Sequence, residues 1–98
     1  MKTMLFALAA LAATSLHAAE PTGEAMAATC AACHGTHGKL STVEFMPLAG
    51  MAEGEFVRAM QDFRSGKRPS TLMGHVANGF DDAQIRAMAK HFAAIKIN

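Results

Sequence analysis

Cys30-Ala31-Ala32-Cys33-His34 places two thiols and an imidazole within five residues, and the chain has no other cysteine. Several chemistries use a thiol pair at this spacing. Structural zinc needs two further Cys or His ligands, and no second cysteine pair is present to supply them. A thioredoxin-type redox pair belongs to a strand-and-helix setting, and no stretch here alternates with a strand's period. The histidine directly after the second cysteine points instead to covalent attachment of c-type haem. Both thiols add to vinyl groups along one porphyrin edge, and the imidazole is carried beneath the ring to the iron. Cys30 and Cys33 are therefore the expected thioether donors of one haem c, with His34 as an axial ligand.

The second axial ligand sets the chemistry. Methionine raises the potential and closes the iron to substrates, histidine lowers it, and an open position invites oxygen or peroxide. Met26 lies on the attachment helix itself. Met60 and Met88 fall in apolar helical stripes, where methionine fills core space. Met46 and Met51 follow the attachment site too soon to reach the far side. Met73 sits in a Pro/Gly-bounded segment, Pro69 to Gly74, far enough along the chain to wrap the ring. It is the expected ligand, against two alternatives: a gap-filling role for Met73, or His75 as the ligand. His37 is tied too closely to His34, and His75 and His91 read as solvated. The other ring nitrogen of His34 needs an acceptor, expected from a backbone carbonyl in the irregular stretch ending at Pro47. Arg64 or Arg68 could reach a haem propionate, or form a solvated basic helix end with Lys67.

These groups must be positioned by helices. Thr22 is a suitable N-cap and Glu24 suits the first turn of a helix carrying Met26, Cys30 and Cys33. Gly35 and Gly38 end it. Residues 39–51 are irregular, with Pro47 barring helix. A second helix is expected from Glu53 to Ser65, with Phe56, Val57, Met60 and Phe63 as its apolar stripe and Gly66 as its stop. Residues 69–74 read as a loop. Asp81 and Gln84 form a capping-box pattern before a last helix, whose stripe is Ile85, Met88, Ala89, Phe92 and Ile95. The reading is one all-α domain.

The N-terminus carries a different signal. Met1-Lys2 and the apolar run Leu5 to Ala13, with small residues at Ala18 and Ala19, predict a secretory signal peptide over 1–19, cleaved after 18 or 19. A buried N-terminal helix is the alternative. The run is too short to span a membrane, so no anchor is expected after cleavage, and the expected location is the periplasm. Residues 20–98 form the domain. Without Lys2, the nine basic residues fall to eight against eight acidic ones. A chain so balanced does not read as built for nucleic acid or an anionic membrane, both of which call for a basic face. So small a domain has a limited core, and a covalent porphyrin would crosslink it.

The chain resembles class I c-type cytochromes. More specifically, it is similar to the cytochrome subunit of flavocytochrome c sulfide dehydrogenase. The residues carrying this are Cys30-Ala31-Ala32-Cys33-His34-Gly35-Thr36-His37-Gly38, Leu48-Ala49-Gly50-Met51, Phe56, Met60, Phe63, the run Ser70 to Phe80, Met88-Ala89 and Phe92. Many members carry two haem domains, whereas this chain has one CxxCH. The resemblance implies a class I fold and electron transfer from an FAD-containing flavoprotein subunit that oxidises sulfide, through the haem, to a soluble acceptor. Two other functions compete: a free shuttle cytochrome passing electrons to an oxidase, and a haem sensor or peroxidase with an open sixth position. No carboxylate pair or Ser-His arrangement points to catalysis by side chains.

Overall fold

The computed structural model describes residues 18–97, and no strand occurs among them. Ala18 and Ala19 are exposed and non-helical; the rest of the expected leader lies outside the described residues. No helix among the described residues is long and apolar enough to cross a membrane.

The segment before the cysteines is helical, but not as one regular helix. Helix α1 spans Gly23–Ala27, a 3-10 turn spans Ala28–Cys30, and α2 spans Ala31–His34. Thr22 caps α1 as expected, its hydroxyl accepting from the Ala25 amide at 3.1 Å. The tightening at Ala28–Cys30 was not foreseen. It coincides with the Thr29 hydroxyl, which donates to the Met26 carbonyl at 2.7 Å and so competes locally with regular helical bonding.

After α2 the backbone folds into a second 3-10 turn, Thr36–Gly38. Gly38 is buried with φ +69°, and a Cβ there would fall 2.8 Å from Leu48 Cβ and 2.9 Å from Phe92 Cε1. Its carbonyl accepts from the Leu48 and Ala49 amides at 2.8 and 3.0 Å. Only glycine meets both demands, positive φ and close approach. The irregular stretch is thereby tied back to the turn below the cysteines.

Helix α3 occupies Glu53–Ser65 and stops at Gly66, as read from the sequence. Helix α5 occupies Asp82–Ala93, and both bonds of its Asp81–Gln84 capping box are present. Residues 69–74 are not wholly a loop. Met73 begins a six-residue helix, α4, Met73–Asn78. Pro69, Gly74 and Gly79 mask it in the sequence, because a helix this short shows no periodicity and is marginal without tertiary support. Ser70 supplies part of that support, its hydroxyl accepting from the Gly74 amide at 2.8 Å.

The core lies where α1, α3 and α5 meet. Met26, Phe56, Met60, Ile85, Met88 and Phe92 are buried there, and the Phe56 and Phe92 rings lie 5.4 Å apart. Helices α1 and α5 approach so closely that a Cβ on Gly23 would fall 2.3 Å from the Ala87 carbonyl oxygen. The Phe92 carbonyl accepts from the Gly50 amide at 2.8 Å, fastening the irregular stretch to α5.

Candidate functional site

Helix α2 ends at His34, whose side chain is buried, whereas Cys30 is half-buried and Cys33 exposed. The three groups line one cleft of about 480 Å³, together with Phe45, Met46, Met60, Phe63 and Met73 among others. That volume lies within the range of cofactor sites. Met26 shares the cysteines' helical face in the sequence but is buried in the core instead.

The imidazole of His34 is oriented by the irregular stretch. Its Nδ1 lies 2.8 Å from the Met46 carbonyl oxygen. That carbonyl immediately precedes Pro47, so the acceptor comes from the segment the sequence indicated. A hydrogen on Nδ1 satisfies the contact and leaves the lone pair on Nε2, the tautomer suited to coordination. The Phe45 ring packs edge-on against the imidazole, with centroids 5.7 Å apart. Burial pushes the Cys30 thiol pKa up; the Thr29 hydroxyl partly opposes this and Cys33 reinforces it.

Met73 lines the same cleft from the start of α4, and Met51 and Met60 line it as well. His75 is exposed, as expected. His91 is half-buried rather than solvated, its ring edge against Phe92 at 5.6 Å. The two arginines separate. Arg64 is engaged away from the cleft: it donates to the Phe80 carbonyl at 3.1 Å and pairs with the Asp82 carboxylate. The sequence did not reveal this role, because the partners lie 16 and 18 residues away. Arg68 lines the cleft, its guanidinium 4.7 Å from the Phe63 ring centroid.

The donor set fits a covalently held haem. Two thiols reach one cleft, an imidazole is fixed in the coordinating tautomer, and thioether sulfur is available in a largely apolar lining. A second, more open depression of about 410 Å³, lined by Glu53, Arg58, Gln61 and Arg86 among others, has no thiol, imidazole or thioether. Helices alone, folded round a cleft that joins CxxCH to methionine, define a small c-type haem protein.

No family model matches the chain. Curated proteins do. Cytochrome c-553 of Helicobacter pylori is 33% identical over 98 residues, covering 98% of this chain and 100% of the relative. The cytochrome subunit of sulfide dehydrogenase from Chlorobaculum tepidum is 37% identical over 73 residues, 74% of this chain and 66% of the relative. Cytochrome c4 of Pseudomonas aeruginosa is 34% identical over 76 residues, 78% of this chain and 38% of the relative. The chain thus spans just under two thirds of the sulfide dehydrogenase subunit and well under half of that cytochrome c4. It belongs to the c-type cytochromes. The relatives are electron carriers or electron-acceptor subunits, and electron transfer is the function that membership of this family supports for the chain.

Proposed function

We propose that residues 20–98 form a periplasmic monohaem domain, released by cleavage after Ala18 or Ala19, that accepts electrons from an FAD-containing sulfide dehydrogenase subunit. Cys30 and Cys33 hold the haem through thioethers, and His34 and Met73 ligate the iron. The observation that carries the site is the His34 Nδ1–Met46 carbonyl contact of 2.8 Å beside both cysteines. Bound there, haem supplies an iron that gains and loses one electron at a time. His34 is held by the Met46 carbonyl, which makes its free nitrogen a stronger donor. Met73 would offer a thioether sulfur to the iron, which would favour electron transfer over oxygen or peroxide chemistry. Phe45, Met46, Phe63 and Leu72 give the cleft apolar lining. The partner assignment draws on the likeness to the sulfide dehydrogenase subunit.

A free shuttle is the second reading, favoured by the end-to-end match with cytochrome c-553. Mass spectrometry of the exported product tests the site: one added porphyrin is expected, with stable holoprotein impaired in Cys30→Ala and in Cys33→Ala. Normal holoprotein yield and stability in either variant would contradict the attachment. Copurification with a flavin-containing subunit favours the first function, and an isolated monomer on sizing favours the second.

A further inference from the structure

The helix that presents Met73 is too weak to hold it. Helix α4 has six residues, of which only Ala77 is buried, and a helix of that length is unstable alone. It packs against α3, and a side chain ties the backbone near each end. At the start, the Ser70 hydroxyl accepts from the Gly74 amide at 2.8 Å, one residue beyond Met73. Past its end, Arg64 of α3 donates to the Phe80 carbonyl at 3.1 Å and pairs with Asp82 on α5. Phe80 also closes the turn after α4, its amide donating to the Ala77 carbonyl at 3.2 Å. The guanidinium therefore joins α3, the end of the α4 turn and the start of α5 at one point.

We propose that Arg64 and Ser70 are positioning residues that hold the Met73 sulfur on the iron, a role that rests on Met73 being the axial ligand. Neither residue touches the iron. Each restrains the backbone on one side of the methionine, so losing either frees the ligand to leave more often. A hydrogen bond from a charged donor is strong enough to matter at this level, and its loss should be read as about a tenfold change in ligand exchange.

The test uses ferric holoprotein titrated with imidazole, following the methionine–iron charge-transfer band. Arg64→Ala should bind imidazole about tenfold more tightly than the parent, and Ser70→Ala, which loses a bond between neutral groups, about threefold, whereas Ser70→Thr, which keeps the hydroxyl, should restore parental behaviour. Ile85→Val, a core change on α5 that removes no hydrogen bond, serves as the comparator for global stability: it should lower the melting temperature while leaving imidazole affinity unchanged. Parental affinity in both alanine variants overturns the proposal. So does an affinity gain in Ile85→Val equal to theirs, because the effect would then follow global stability. Should Arg64→Ala fail to accumulate, the Ser70→Ala and Ser70→Thr pair decides alone. Met73→Ala separates the layers. If it abolishes the band, the ligand assignment stands whatever the positioning variants do; if the band survives, the assignment falls and the positioning role falls with it.

Discussion

A single carbonyl does much to define the site. Met46 lies next to Pro47, in a stretch with no regular structure, yet its oxygen stands 2.8 Å from Nδ1 of His34. The motif, the proline and the irregular composition around it were legible from residue types alone. The choice of Met46 was not, because it depends on Gly38 drawing Leu48 and Ala49 inward. Arg64 makes the same point more sharply, since its pairing with Asp82 is long-range and carries no local sequence signal. That pairing has a pH signature. The Arg64 hydrogen bond and charge hold the Asp82 carboxyl below the ordinary carboxylate range. The group's contribution is therefore complete at neutral pH and above the unfolded value near 4, and fades as pH falls through the lower folded value. Asp82→Asn is expected to be less stable than the parent at pH 7, with the gap narrowing below about pH 4. Denaturant midpoints across that range check it, and a gap that widens in acid would contradict it.

Helices with strong terminal signals were legible; those held by tertiary contact were not. Gly66 and the Asp81–Gln84 box mark α3 and α5 where the backbone places them. The start of helix α4 falls in the stretch 69–74 that reads as loop, because its stabilisation comes from Ser70 and α3 rather than from its own sequence. The 3-10 turn before Cys30 escaped for a related reason, since Thr29 is ordinary in a helical window until its hydroxyl bonds backward. Gly23 had no evident role in the sequence either, although it permits the close approach of α1 to α5. A Cβ at 2.3 Å from the Ala87 carbonyl oxygen meets backbone, which cannot rotate aside. Gly23→Ala should therefore cost about 2–3 kcal/mol, toward the upper part of the usual overpacking range. Chemical denaturation measures this directly; a change below about 0.5 kcal/mol would mean that α1 shifts freely on α5.

At the scale of the molecule, one small core serves both stability and site. Phe92 is 1% exposed, stacks near Phe56, approaches Gly38 and accepts from Gly50 through its carbonyl. Removing its ring disturbs the helix packing and the turn that aims His34 together. Phe92→Ala is expected to lose about 3–5 kcal/mol, a large share of the total for a domain of this size. It should also weaken the methionine–iron band at temperatures where the domain remains folded. A large stability loss with an unchanged band would show that the core and the site are independent.

The α1–α5 crossing has a consequence for timing. A chain synthesised from its N-terminus presents Cys30 and Cys33 long before residues 82–93 have been made. The segment bearing the thiols cannot lock against its final neighbour until the last helix arrives. Docking of the last helix then fixes the segment that carries the thiols, with Cys33 still exposed and Cys30 half-buried.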